Sequence, residues 1–592
     1  MTASASVLSS SRLVVWVVTL STFVTLFLFH IYPIGLGDVY WHLNTGRWIW
    51  EHGALPNSDP FTYSLANVLD NHQGSISHDY WQRLILQGYW LAQLLFFGIH
   101  TAFGPWGLVV LKATLFVTLY WLMWRTLLRA RVQPLLALLV ILILPWLLYR
   151  YDELRPQIFS FIGVVLVYSS LSSAIVKLRS GMRHPSSLIA LPFIMMLWAN
   201  LHPGFMLGWV IILVVLAGTA FEQWFRINAF ERSSLQHLFI WCGMALLASL
   251  ANPLTYSFIS NVVVLREQYS LGVDEFLPLA EYARMYQSPF LFYGPLILAL
   301  VALGVLIRRW KQIGLAHAIL FIGFAAAGFY TFRYMIFFVL MALLIVMPHI
   351  SALSERYIVR VRTMLFASLL VAMSGVFYLT FQHGAWKLGP IEKAYVPELA
   401  AKFVLSQHPP APLFNAYEYG GYLGWKLAPE YQMFIDPRCL DFEVFNEYQT
   451  ARGGHYQGVF EKYGVNSVVF YIFTPLIDSI PEVTLYMLMD KQWDMVYLDK
   501  LSVVMVRSSQ NTLPVIDKAA LLNYLQKVLQ RILVRTPSDT QALVQYGRIL
   551  LFRGDVDGAQ RYFVTALKLN PRLRAARFYL EALTRQNQVA PN

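Results

Sequence analysis

The chain has 592 residues, 57% hydrophobic and only 13% charged, where a soluble chain of this length would carry roughly a quarter charged residues; a soluble globular protein is excluded and a polytopic membrane protein is expected. The net charge of +12 sits largely in short loops between apolar blocks, where basic residues set membrane orientation, so nucleic acid is not an expected partner. Two cysteines, Cys242 and Cys439, exclude a disulfide framework and a cysteine-built zinc site.

The first apolar run, Val14 to His30, is too long for the core of a cleaved signal and lacks a small-residue cleavage pattern; it is expected to remain as a signal anchor. Further runs of the length that crosses roughly 30 Å of hydrocarbon give about eleven spans, near 13–33, 107–126, 132–149, 157–176, 187–201, 205–222, 236–251, 291–307, 314–330, 332–349 and 363–381. The block Tyr89 to Phe103 is apolar but short, as re-entrant or interfacial segments are. If it does not cross, Arg125, Arg129, Arg131, Lys177, Arg179, Arg308, Arg309 and Lys311 share one side, and the short loops opposite hold only Arg150, Arg155, Arg266, Arg284 and Arg333. The positive-inside bias therefore predicts a cytoplasmic N-terminus, with 34–106 and everything after 382 outside.

The loop 34–106 opens with GLGDVYWHLNTGRWIWEHGALPNSDPFTYS, residues 35–64. Trp41, Thr45, Trp48 and Ile49 fall at helical spacing, and tryptophan favours the headgroup layer, so an amphipathic helix lying on the membrane is expected. Asn57-Ser58-Asp59-Pro60 reads as a turn, and a second surface helix is expected over Trp81 to Leu95. Residues 382–510 change composition to a small α/β domain, with a helix from Glu392 to Ser406, a buried strand from Ser467 to Phe473 and a hairpin over Trp493 to Arg507 about Asp499-Lys500. In 511–592, Tyr546, Gly547, Gly554, Ala559, Phe563, Ala566 and Pro571 follow tetratricopeptide spacing, with Pro537 one repeat length earlier. Such a segment binds a protein partner or serves as a packing appendage.

Chemistry points first to Asp38. It is either a helix N-cap or a catalytic base or metal ligand, and His42, one helical turn on, would share its face. Asp plus His suits a divalent ion such as magnesium, manganese or zinc, although two residues do not make a site. Asp152 and Glu153, in YRYDELRPQ, form either a salt-bridged turn with Arg150 and Arg155 or a second acidic element on the same side of the membrane. Lys112 and Arg333, near span mouths, either snorkel to headgroups or serve a site. Asn200 and His202 flank a Pro-Gly turn and are candidates for lining a cavity. Asp436 and Arg438, in FIDPR, are candidates for contacting an acceptor. No Walker loop, G-x-S-x-G or His-Glu-x-x-His is present, which disfavours a nucleotide-driven pump or a familiar hydrolase.

GDVYWHLNTGRWIWEHGALPNSDPFTYS, YWLAQLLF, LRPQIFSF, LWANLHPGF, ANPLTYS, FRYMIFF and YEYGGYLGWKL…FIDPR together resemble a group of large bacterial membrane proteins over roughly residues 30–475. That group is similar to the GT-C class of membrane glycosyltransferases, which includes protein O-mannosyltransferases and aminoarabinose transferases. The resemblance implies a transmembrane GT-C-like domain over 1–381, with 89–103 as a juxtamembrane helix, in a bacterial inner membrane; composition and spacing add the extracytoplasmic α/β domain over 382–510 and the helical repeat over 511–592. It implies transfer of a sugar from a polyprenyl-phosphate donor to an extracytoplasmic acceptor, with Asp38 as the first-loop acid, Asp152 or Glu153 as the second-loop acid, and Arg155 or Arg333, with Lys112, near the donor phosphate. Two departures weaken a metal-dependent version: Asp38 stands without a second acid beside it, and Gln93 stands where relatives often carry glutamate. The alternatives are a non-catalytic membrane scaffold presenting the repeat, or a lipid-linked glycan polymerase, ligase or translocase.

Overall fold

The computed structural model describes residues 2–35, 37–67, 76–182, 185–225, 230–255, 257, 274–354, 358–382, 389–392, 395–473 and 479–589. Arg266, used above for orientation, lies outside the described residues. The chain divides into two units, Met1–Ser58 with Gly74–Ile391, and Asp59–Gln73 with Glu392–Asn592. The segment 34–106 is thus split, its residues Asp59–Gln73 belonging to the second unit.

The first unit is helical: α1 Thr2–Phe29, α2 Val39–His52, α3 Ile76–Gln87, α4 Trp90–Arg129, α5 Pro134–Leu148, α6 Gln157–Arg179, α7 Ser186–Leu201, α8 Met206–Trp224, α9 Arg232–Ala248, α10 Leu279–Met285, α11 Pro289–Arg308, α12 Leu315–Tyr330, α13 Met335–Ser354 and α14 Ile358–Gln382. Five segments, Tyr80–Arg129, Gln157–Arg179, Pro203–Trp224, Pro289–Arg308 and Phe332–Ala352, are long and apolar enough to cross a membrane, and shorter apolar helices accompany them. These are the features of a multi-pass membrane protein. α13 is buried on every side from Met335 to Met347, as a helix enclosed by others must be. α11 instead exposes Tyr293, Ile297, Leu300, Leu303 and Ile307, an outward apolar face suited to lipid.

The apolar stripe of α2 is not laid on a membrane surface as expected. Trp41, Thr45 and Ile49 are buried, and α2 packs on α4. Gly46 permits this, since a Cβ there would lie 2.3 Å from the Gln93 carbonyl oxygen. Trp50 carries the exposed side of the helix at 72% exposure. The surface helix expected over Trp81 to Leu95 is two helices, α3 and the start of α4, broken at Gly88-Tyr89. α4 then kinks at Gly104, whose φ of 62° suits glycine, with Pro105 following; the arm before the kink and the apolar segment after it are separate rods.

The second unit holds a four-stranded sheet in the order β1-β2-β4-β3, with β1 Leu413–Asn415, β2 Ser467–Tyr471, β3 Trp493–Leu498 and β4 Ser502–Arg507. β1 pairs parallel with β2, while β2 pairs antiparallel with β4 in the register Val469 to Val504. β2 is buried along its whole length, which explains its unbroken apolar run. The β3–β4 turn has no glycine; the Asp499 carboxylate accepts the amides of Leu501 and Ser502, each at 2.7 Å. Further along, helices Thr540–Phe552 and Val556–Leu569 pack together, with Gly547 against the Phe563 ring and Ala559 and Ala566 fully buried. Arg548 ties this hairpin to the α/β part through Glu482 at 2.8 Å and the Ile480 carbonyl at 2.9 Å.

Candidate active site in the first unit

Asp38 occupies the position before α2, but its carboxylate does not cap the helix. Its Oδ2 faces Arg155 Nε at 3.2 Å. Arg155 stands two residues ahead of α6, and its Nη2 meets Glu153 Oε2 at 2.8 Å while Nη1 meets Glu275 Oε1 at 2.7 Å. The second oxygen of Glu275 lies 3.5 Å from Arg333 Nη1. Glu275 and Arg333 sit in two short 3-10 turns, Asp274–Phe276 and Phe332–Tyr334. Thr331 Oγ1 donates to the Glu275 carbonyl at 3.0 Å, the Phe332 amide donates to the Leu277 carbonyl at 3.0 Å, and the Arg333 guanidinium lies over the Phe276 ring. Four loops that are distant in sequence thus supply one cluster of three carboxylates and two guanidinium groups. Its side chains are partly exposed, and a small cavity adjoins it, lined by Arg150, Tyr151, Glu153, Arg155, Gln157 and Glu275.

Burial alone would lower the Arg155 pKa, but the charges of Asp38, Glu275 and Glu153 hold it well above the ordinary arginine value. Burial likewise pushes the Glu275 carboxyl up, and Arg155 and Arg333 reverse the shift to below the usual carboxylate range. Arg155 and Glu275 therefore each favour the ionised form of the other.

Lys112 does not snorkel to headgroups. It is buried, its ammonium 3.0 Å from the centroid of the Tyr32 ring and 3.3 Å from the Tyr32 carbonyl oxygen. Tyr32 in turn donates its hydroxyl to the Asp152 carbonyl at 2.8 Å. Burial raises the Asp152 pKa above the usual carboxylate range against the opposing pull of Lys112 and Tyr32. Asp152 and Glu153 thus part company: the first sits with Lys112 and Tyr32, the second with Arg155.

His42 follows Asp38 by one helical turn, its amide donating to the Asp38 carbonyl at 3.2 Å. It is buried, packs on the Trp41 ring, and its Nδ1 is 3.4 Å from Gln93 Nε2. His202 is a staple of its own turn: Nδ1 accepts from the Gly204 amide at 2.9 Å and lies 2.7 Å from Ser160 Oγ, which accepts from the Trp198 indole at 2.9 Å. Burial, and behind it the Arg333 charge, hold the His202 pKa down to about 3. Asn200 is also a cross-link rather than a cavity residue, accepting from the Trp90 indole at 2.9 Å and donating to the Ala251 carbonyl at 2.7 Å. Tyr89, at the break before α4, packs edge-on against both His42 and His202.

Asp436 and Arg438 belong to the second unit and have no surface to offer an acceptor. Arg438 is 1% exposed and forks between Asp436 Oδ2 and Asp59 Oδ1, each at 2.6 Å, with the Phe61 ring against its guanidinium. Asp59 also accepts the Thr62 amide at 3.0 Å. The Asp-Pro-Phe and Asp-Pro-Arg motifs are two halves of one buried ion triad.

Among the described residues, no three histidine, cysteine, aspartate or glutamate side chains are placed to share a metal ion. Around Asp38 the reason is direct: the Arg155 guanidinium fills the centre that a cation shared by Asp38, Glu153 and Glu275 would need. The residues do not fit the divalent ion expected at Asp38. The sequence does not single out Glu275, Tyr32 or Tyr89. The signal for Glu275 was a carboxylate beside an aromatic residue, Phe276, in a segment between apolar runs.

No protein-family profile matches the chain, and no curated protein does. Among solved structures it is similar to the apo form of an oligosaccharyltransferase from Archaeoglobus fulgidus, at 13% identity and a TM-score of 0.46, over 76% of this chain and 69% of that one.

Proposed function

We propose that the chain is a membrane glycosyltransferase of GT-C type, with about eleven spans, that moves a sugar from a polyprenyl-phosphate donor to an extracytoplasmic acceptor in a bacterial inner membrane. The observation that carries the reading is the junction at Arg155, where Asp38 and Glu153 meet one guanidinium while Glu275 holds Arg333 beside it. Carboxylates and arginines are the two groups such a transfer needs. A carboxylate, Asp38 or Glu153, takes the proton from the acceptor as its oxygen or nitrogen attacks the sugar's anomeric carbon. The bond from that carbon to the phosphate oxygen breaks, and the electron pair leaves with the lipid phosphate. Arg333, and Arg155 as the carboxylates engage substrate, stabilise the charge that grows on the departing phosphate; guanidinium groups match its oxygens in pairs. Tyr89 offers a flat face to a sugar ring or the first prenyl unit. The helical tail of the second unit recruits a protein partner. We derive no step through a metal ion.

Saturation of Arg155 by three carboxylates favours a competing reading, a purely structural clamp joining three outer loops. The Asp38→Asn variant separates the two. In membranes supplied with polyprenyl-phosphate sugar, it is expected to lose glycan transfer by about a hundred- to ten-thousand-fold, the contribution of a positioned base, with protein abundance retained. Undiminished transfer overturns the assignment.

A further inference from the structure

We infer that the first unit binds an anionic lipid phosphate in a cavity at the far end of its helices from Asp38. The cavity has a volume of about 520 Å³, within the usual range for ligand sites. α6 begins beside Arg155 and ends, 23 residues later, at Arg179, a length of roughly 34 Å. Lys177 and Arg179 line the cavity there, as do Arg129 at the end of α4 and His349 near the end of α13, the helix that follows Arg333. The two sites are therefore separated by the length of the helices they share.

Three cations line this cavity, and among the described residues Glu222 is the only carboxylate facing them. Glu222 is engaged by Arg179 at 2.7 Å. Arg129 and Lys177 are left without an acidic partner in the lining, over a floor of Ser169, Ser172 and Ser173. An excess of cations beside hydroxyl donors is the chemistry that holds a phosphate. Ile175, Val176, Leu344 and Ile345 supply an apolar wall, and Val176 is 69% exposed on its outer side, so the wall is continuous with the helix surface. A phosphate that arrives attached to a hydrocarbon chain uses both features, and a free phosphate uses only one. The basic-loop side is also the side on which anionic headgroups attract Lys and Arg.

The test is thermal unfolding of the full-length protein, purified in an uncharged detergent and titrated with phosphatidylglycerol, phosphatidylcholine or inorganic phosphate. Phosphatidylglycerol is expected to raise the unfolding midpoint and phosphatidylcholine to leave it unchanged. Replacing both free cations, Arg129→Gln with Lys177→Gln, should raise the half-saturating lipid concentration roughly 30-fold. Arg308→Gln, a basic residue outside the lining, should leave it unaltered. If the double variant lowers the unliganded midpoint, Ser172→Phe, which fills the cavity and keeps both cations, must show the same loss of response. A shift reproduced by inorganic phosphate and lost in the double variant supports the anion site but overturns the lipid as its source. Equal shifts with both lipids, or an undiminished phosphatidylglycerol shift in the variants, overturn the site.

Discussion

Arg155 Nε lies 3.2 Å from Asp38 Oδ2, and this contact takes the carboxylate away from the helix cap that its position offers. Aspartate is among the better N-caps, so the local preference of α2 is overridden by a charge brought from another loop. The same guanidinium holds Glu153 and Glu275, and its removal would strand three acids together.

Arg155→Gln is expected to destabilise the protein by about 1–2 kcal/mol, below the cost of breaking a fully buried pair because these side chains are partly exposed. A double-mutant cycle with Glu275→Gln, followed by thermal unfolding, should return a coupling energy of the same sign. Additive effects would mean that the contact carries no energy.

Arg333 is expected to act on the donor. Arg333→Gln should lower kcat at saturating donor more than it raises KM, because stabilisation of the leaving phosphate grows only as its bond breaks. A change confined to KM would place Arg333 in ground-state binding instead.

The second unit depends on its buried triad. Arg438→Met leaves Asp59 and Asp436 facing each other at 1% and 6% exposure, and removing one partner of a buried pair costs about 3–5 kcal/mol. Limited proteolysis should cut the variant's 392–592 region far faster than that of the parent; equal protection would contradict the triad's role.

Acid should destabilise the protein through His202. Its folded pKa of about 3 lies below the ordinary 6.5, so between those values the unfolded chain binds a proton that the folded chain refuses. Stability from this residue is complete above about pH 6.5 and is lost as pH falls towards 3, at up to about 1.4 kcal/mol per pH unit. His202→Gln should flatten the midpoint profile between pH 6.5 and 4.5. Parallel profiles would assign the acid sensitivity elsewhere.

The eleven-span orientation makes its own prediction. Reporter fusions at residues 104 and 510 should both signal from outside the cytoplasm, and a cytoplasmic signal at 510 would reverse the orientation.

Much of the local structure is legible from the residues alone. Runs of apolar residues become helices, the unbroken Ser467–Tyr471 run becomes a strand buried along its length, and Gly104-Pro105 marks the kink in α4. Less of the candidate site is legible. Asp38, Glu153, Arg155 and Arg333 stand out as charges in outer loops, but nothing local to Glu275 distinguishes it from the other acids of its loop. Helical spacing sets His42 one turn after Asp38, and the contact of its ring with Gln93 depends on Gly46, which lets α4 come close.

The division follows from the range of the forces involved. Hydrophobic periodicity, turn chemistry and glycine or proline placement act within a few residues, so the sequence by itself determined where this chain forms helices, where its hairpin turns and which segments suit a membrane. Partnership between charges depends on which loops the fold brings together. Arg438 and Asp59 are 379 residues apart in the chain yet share a buried bond, and Arg155 chooses Asp38, Glu153 and Glu275 only once α2, α6 and the turn at Asp274–Phe276 have assembled. The tertiary structure alone decided that the Asp38 carboxylate faces Arg155, because desolvation makes each ionised group accept whichever opposite charge the fold supplies.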